Sequence, residues 1–153
     1  SIRLVLIGAD ASAQSHVDSM KSNQDKVNIF PKIPFKDLPE HLSAADILVI
    51  PQRDTTDTQG QIPAKLFDAM AMAKPVITTP LSDIEEVLGG HGYLINPGNP
   101  DELAKTIEYI FANPEEARLK GLSARKRCQE LYDIKVLQKE LNLQIEKLAI
   151  THS

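Results

Sequence analysis

The stretch DILVIPQRDTTDTQGQIPAKLFDAMAMAKPVITTP, from Asp46 to Pro80, decides the fold. Asp46-Ile-Leu-Val-Ile-Pro51 is an apolar run of strand length stopped by a proline, the pattern of a strand covered on both faces. Gln52 to Gln61 are polar or small, and Gly60 is free to take a positive φ. Pro63 stands where a helix would begin, because the N–H it lacks would be unpaired there in any case. Leu66, Phe67, Met70 and Ala73 recur at helical spacing, and Lys74-Pro75 ends the helix ahead of Val76-Ile-Thr-Thr79, a β-branched strand. The pattern predicts strand, long loop, helix and strand. The loop would deliver the N-terminus of a buried helix to one edge of a parallel sheet, where an anionic ligand is expected.

The physics of that helix start can be stated from the residues. The first four amides of a helix have no partner within it, and the macrodipole places roughly half a positive charge there. The N–H groups of Ile62, Ala64 and Lys65 are therefore predicted to cradle a phosphate, as helix N-termini do elsewhere. Lys65 adds a full charge on a flexible stem. Asp68 follows three residues later on the same face, where a carboxylate can accept bonds from a vicinal diol such as that of ribose. The plainer reading is a Lys65–Asp68 pair on the helix surface, worth about 0.2–0.5 kcal/mol. Spacing alone leaves both open.

Outward from this stretch, strands and helices alternate, which implies βα units and a parallel sheet. Ile2 to Ile7 reads as a strand, Gly8-Ala-Asp10 as a turn and Ser12 to Ser22 as a helix; Val27 to Phe30 reads as a second strand and Pro31-Lys-Ile-Pro34 as a rigid turn. A short helix over 37–45 carries His41, read as a surface histidine. Asp83 is placed to cap a helix through Leu88, with Ile84 and Val87 inward, and Gly89 to Gly92 make a turn that exposes His91. After a short strand from Tyr93 to Ile95, helices are predicted over 100–112, 114–132 and 134–149. In the second, Leu119, Leu122, Arg125 and Leu131 are spaced as an amphipathic face, while Lys120, Arg125, Lys126 and Arg127 read as its solvated side. The last carries an apolar stripe, Leu137, Leu141, Ile145 and Leu148, that needs a partner.

Composition narrows the class. At 153 residues the chain is one domain's length, with 42% hydrophobic and 25% charged residues. A net charge of -4 speaks against non-specific nucleic-acid binding and against this part meeting an anionic membrane. No apolar run approaches the roughly 20 residues of a membrane span. Cys128, the single cysteine, is read as a half-buried helical thiol, and no Cys/His cluster offers a metal site. Ser1 in place of Met suggests a processed or excised segment, and the cytoplasm is the default compartment.

Several of these stretches together resemble the retaining glycosyltransferases of the GT-B fold, family 4 (group 1). The signature of their C-terminal lobe is matched by Gln61-Ile-Pro-Ala-Lys65-Leu-Phe-Asp68-Ala-Met70-Ala71-Met-Ala-Lys74-Pro75-Val-Ile77. Upstream, Val27-Asn-Ile-Phe30 through Asp37-Leu-Pro39 and Ala44-Ala45-Asp46 through Pro51 are similar to that lobe, as is Gly92-Tyr-Leu-Ile-Asn-Pro97-Gly98-Asn-Pro100 through Ala104 downstream. The resemblance covers nearly the whole chain. It implies a Rossmann-like three-layer α/β sandwich with a parallel sheet, the C-terminal half of a GT-B enzyme. Residues 1–132 would form the nucleotide-sugar lobe, its first strand lying upstream, and residues 133–150 a helix crossing to an N-terminal lobe outside this sequence.

The implied reaction transfers a hexose, with retention, from a nucleoside-diphosphate donor of the UDP or GDP type to an acceptor hydroxyl, as in carbohydrate biosynthesis. Lys65 would be catalytic. Gly8, Lys32, Ile33, Gly60, Gln61, Ile62, Pro63, Ala64, Lys65 and Asp68 would bind the donor, with Asp68 on ribose and Lys32 and Ile33 flanking the base. No cofactor or metal is implied. The acceptor, a saccharide or a lipid-linked one, would meet the other lobe, which would also supply any peripheral contact with the inner membrane face; the last helix offers a route to dimers. Two departures stand out. The family's earlier acidic residue, near the donor sugar, falls on Gly60, so its role is absent or moved to Asp57 or Asp54; and Pro31 replaces a glycine usual at the base-binding turn. The rival reading is a non-catalytic nucleotide-binding or interaction module on the same fold. A phosphorylase-type or epimerase enzyme is disfavoured by the Lys65-x-x-Asp68-Ala-Met-Ala stretch. A receiver-like domain would need an acidic cluster that Asp10 and Asp54 do not make.

Overall fold

The computed structural model describes residues 2–20 and 22–151, the side chains of 150 and 151 excepted. Ser1, on which the reading of an excised segment rests, and Lys21, inside the helix expected over 12–22, lie outside the described residues. The chain divides into two compact units, Ser1–His41 and Leu42–Ser153.

The smaller unit is built on two parallel strands, β1 (Leu4–Ile7) and β2 (Val27–Phe30), in register from Leu4↔Val27 to Ile7↔Phe30. Helix α1 (Ala11–Asp18) connects them and ends short of Ser22, because its C-terminal turn closes at Ser19. Asp10 starts α1 by accepting from the amides of Ser12 (3.0 Å) and Ala13 (3.3 Å). Two 3₁₀ turns, Gln24–Lys26 and Phe35–Asp37, flank β2, and the second runs into α2 (Leu38–Ser43), across the division between the units.

The larger unit holds β3 (Leu48–Ile50), α3 (Thr56–Gln59), α4 (Ala64–Ala71), β4 (Val76–Thr78), α5 (Ile84–Leu88), β5 (Tyr93–Leu94), α6 (Pro100–Ala112), α7 (Pro114–Leu131) and α8 (Ile134–Thr151). Its sheet is parallel in the order β3-β4-β5, with every residue of the central strand buried. Strand alternation splits its apolar residues between two cores. Leu48, Ile50, Val76 and Leu94 face a core shared with Leu66 and Met70 of α4, Val87 and Leu88 of α5, and Ala124 and Cys128 of α7. Ile47, Val49, Ile77, Tyr93 and Ile95 face the other, with Leu103, Ile107 and Ile110 of α6 and Ala117 of α7. Helices thus cover both faces of the sheet, the three-layer arrangement of an α/β fold.

One face is not where the large residues suggest. In α7 the leucines spaced as the buried face point outward: Leu119, Leu122 and Leu131 are 50%, 44% and 43% exposed. The buried face is Ala117, Gly121, Ala124 and Cys128. The cause is close approach, since a Cβ on Gly121 would overlap the carbonyl oxygen of Ala73 just past α4. Two of the four basic residues read as a solvated side are likewise anchors. Arg127 donates to the carbonyls of Val87 (2.9 Å) and Glu86 (2.8 Å), which α5 leaves unpaired at its end, and the Lys120 ammonium lies 4.5 Å from the centre of the Tyr93 ring. Asp83 stands at the start of α5 without a side-chain capping bond.

Helix α4 ends in a Schellman-type turn. Ala73 N–H donates to Met70 (3.0 Å) and Lys74 N–H to Ala69 (3.5 Å), with Ala73 at φ 55°, a conformation that favours glycine. Ala73→Gly is expected to raise stability by about 0.5–1 kcal/mol. Gly121→Ala, which elsewhere in a helix gains about 1 kcal/mol, is expected to lose about 1–3 kcal/mol through overpacking. Urea denaturation measures both, and a stabilised Gly121→Ala variant would contradict the close packing of α4 on α7.

Candidate nucleotide-sugar site

The larger unit places its candidate residues where β3 hands the chain to α4. The C-terminal ends of β3 and β4 are joined by two threonines: Thr78 Oγ1 donates to the carbonyl of Ile50 (2.9 Å), and Thr79 Oγ1 accepts from the Gln52 amide (3.2 Å). The crevice beyond such strand ends is where open α/β sheets bind ligands. Among the described residues the Gln52 side-chain oxygen is buried with no hydrogen-bond partner, a group the sequence offered no signal to single out.

The loop that follows is not featureless. It contains α3, begun by Thr55 and Thr58: the Thr55 amide donates to Thr58 Oγ1 (3.0 Å) and the Thr58 amide to the Thr55 carbonyl (3.0 Å). Gly60 closes α3 at φ -108°, so the positive φ open to it is not used, and a Cβ there would meet nothing within 4 Å. Of the two carboxylates that could replace an acid at position 60, Asp54 accepts from Gln59 Nε2 (2.8 Å) and Asp57 lies exposed in α3.

Pro63 precedes the helix as its N-cap residue (φ -68°, ψ 127°), one position earlier than expected. Its carbonyl accepts the Leu66 amide at 2.9 Å. Among the described residues the amides of Ile62, Ala64 and Lys65 meet no protein acceptor. Ile62 and Phe67 pack against the same core as Leu66, which fixes the direction of the helix start, while Gln61, Ala64 and Lys65 stay exposed. The helix pair does not form: among the described residues neither Lys65 nor Asp68 has an ion-pair partner. Burial pushes the Asp68 carboxyl above the ordinary carboxylate value. The Cys128 thiol is pushed up by burial and then by the charges of Asp133 and Asp68.

The other candidate residues lie in the smaller unit, at the C-terminal ends of its strands. Gly8 takes φ 72°, donates to the Phe30 carbonyl at 3.0 Å, and would bring a Cβ to 3.8 Å from the Cα of Lys32. Lys32 is exposed and Ile33 half-buried. The structure thus groups Gly8, Lys32 and Ile33 in one unit, and Gly60 to Asp68 in the other. His41 is exposed, with Nδ1 2.9 Å from the Asp37 carbonyl oxygen, and His91 is half-buried rather than exposed. Among the described residues no three His, Cys, Asp or Glu side chains gather to hold a metal ion, and no helix is long and apolar enough to cross a membrane.

Comparison with known proteins gives the family and the fold. The family described as "Glycosyl transferases group 1" matches residues 1–113. The chain belongs to that family. No curated protein matches it. Among solved structures this glycosyltransferase chain is similar to sucrose-phosphate synthase from Thermosynechococcus elongatus, at 23% identity and TM-score 0.80, covering 99% of this chain and 39% of that one. It is similar to a glycosyltransferase from Rickettsia africae at 20% identity and TM-score 0.77, covering 100% and 41%. HepE from Anabaena, solved in complex with UDP, matches at 18% identity and TM-score 0.74, covering 95% and 41%. These likenesses show the fold, the C-terminal half of a GT-B enzyme, and the group 1 chain spans about two-fifths of the length of those proteins.

The raised Asp68 fixes the sign of a pH effect. Its ionisation penalty in the folded state is absent well below the ordinary value of 3.8 and complete above the folded pKa. Asp68→Asn is therefore expected to raise the Tm near pH 7 (about neutral) and to lose that advantage as pH falls below about 4. Thermal melts across this range check it; an equal gain at both ends would contradict the half-buried, ionised carboxylate.

Proposed function

We propose that this chain is the donor-binding lobe of a retaining hexosyltransferase. It would hold a nucleoside-diphosphate sugar of the UDP or GDP type while the hexose passes to an acceptor hydroxyl on a lobe outside this sequence. The observation that carries the reading is the start of α4, where the amides of Ile62, Ala64 and Lys65 and the Lys65 ammonium are all without protein partners among the described residues. That is an anion site built into a rigid helix, with a flexible cation beside it. The Anabaena relative has been solved with UDP and with UDP-glucose, which supports a nucleotide-sugar ligand.

The chemistry follows from the charge that moves. As the bond between the anomeric carbon and the diphosphate oxygen breaks, negative charge grows on the β-phosphate. The α4 amides, its dipole and Lys65 would stabilise that charge more than the ground state, which is what lowers a barrier. The acceptor oxygen takes the anomeric carbon, and its proton leaves with the diphosphate. Asp68 would accept from the ribose hydroxyls. Gly60, Gln61 and Pro63 would line the phosphate turn, with Gly8, Lys32 and Ile33 at the base. We place residues 1–132 in this lobe, with a first strand upstream, and residues 133–150 in a helix that crosses to the acceptor lobe. This chain alone would bind donor without transferring it. A second reading, a nucleotide-binding module without catalysis, is favoured by Gly60, where the acid near the donor sugar would stand and where the structure leaves open space.

Isothermal titration of the chain with UDP and GDP tests the common claim. One nucleotide is expected to bind, and Lys65→Ala to weaken it about tenfold or more, the loss of a hydrogen bond to a charged group. Binding unchanged by that substitution, or absent for every nucleotide, would contradict it.

A further inference from the structure

Gln52 carries a polar atom that the fold itself leaves unanswered. Its side-chain oxygen, Oε1, is buried and meets no hydrogen-bond donor among the described residues. A buried acceptor in that state lowers stability, because it has given up water and gained nothing in exchange. The backbone around it is fixed. The Gln52 amide donates to Thr79 Oγ1 at 3.2 Å, and Thr79 is buried just past β4. Ile50, two residues earlier, closes β3 and faces the core shared with α4, and residues two apart in an extended chain share a face. Gln52 therefore stands at the C-terminal ends of both strands, within the larger unit alone.

Which group would answer it depends on where the protons are. An ionised diphosphate presents oxygens that accept and none that donate, so it suits amide N–H groups and not Oε1. The partner must bring an O–H or N–H. On a nucleoside-diphosphate hexose the base is given to Gly8, Lys32 and Ile33 and the ribose to Asp68, which leaves the hydroxyls of the hexose. The carboxylates of the same loop do not compete for them: Asp54 accepts from Gln59 Nε2 at 2.8 Å, and Asp57 is exposed on α3. Resting on the donor-site reading above, we propose that Gln52 accepts a hydrogen bond from a hydroxyl of the donor hexose, and so lets the site tell a nucleotide sugar from a bare nucleotide. The last torsion of a glutamine is broad, so the carboxamide turns toward the hydroxyl while Thr79 holds the backbone. A neutral acceptor also adds no negative charge beside the diphosphate, where a carboxylate would oppose it.

Gln52→Met keeps the length of the side chain and removes both of its hydrogen-bonding groups. Calorimetry compares UDP with UDP-glucose, and GDP with GDP-mannose, on the native chain and on this variant; thermal melts compare the two chains without ligand. The native chain is expected to bind one nucleotide sugar about fivefold more tightly than its bare nucleotide. The variant is expected to bind the bare nucleotide as well as the native chain does, to lose the gain from the hexose, and to melt higher without ligand. A native chain that binds nucleotide but gains nothing from the hexose would overturn the role of Gln52 while the donor reading stood. So would a variant that keeps the gain, that loses bare nucleotide in proportion, or that melts lower. Absence of nucleotide binding to the native chain would overturn both.

Discussion

The backbone contact between the end of α4 and Gly121 of α7 is the constraint on which the larger unit depends. Helix α4 is short, eight residues, and a helix of that length has no stability of its own in water. It is held because Leu66, Ala69 and Met70 are driven into the sheet while its last turn presses on a glycine. The small-residue face of α7 lets the two backbones come close enough to enclose that core. Arg127 then ties the far end of α7 to the carbonyls of α5. A bulkier α7 would lift α4 off the sheet and change where its N-terminus points.

That positioning is what gives the helix start its chemistry. The same packing that buries Leu66 and holds Ile62 and Phe67 half-buried keeps Ala64 and Lys65 at the surface with their amides unused. The proposed anion would meet amides that are already oriented, which is the condition under which dipoles are most effective. Asp68, one turn further in, pays a desolvation cost that no partner among the described residues offsets.

How much of this could be read from the residues depended on which signal each element carries. The alternation of strands and helices, the boundaries of α6 and α7 and the start of α4 to within one residue, and the start of α8, which runs two residues past its expected end, followed from period, proline and glycine. The buried face of α7 did not. Periodicity finds large apolar residues, and there the core is closed by Ala117, Gly121 and Ala124, whose value lies in what they lack. Lys120 and Arg127 looked solvated because their partners, a tyrosine ring and two carbonyls, are distant in sequence. Helix α3 hid in a polar loop because a threonine pair is a weaker start signal than one with glutamate. Of the candidate site, the helix start and its free amides at Ile62, Ala64 and Lys65 were legible, since a helix start after a strand is a local pattern; the ligand roles of Lys65 and Asp68 are proposals. The unpaired state of Lys65 and Asp68 was not, because spacing fits a salt bridge equally well.

The central claim is that the unused amides at the start of α4 bind the diphosphate of a nucleotide, and a two-dimensional amide NMR titration of the chain addresses it most directly. With UDP, GDP and ADP added in turn, the account predicts saturable shifts of the Ile62, Ala64 and Lys65 resonances for at least one nucleotide, with α8 undisturbed. A well-dispersed spectrum in which those three resonances stay fixed while nucleotide shifts others, or in which no nucleotide shifts any, would contradict it.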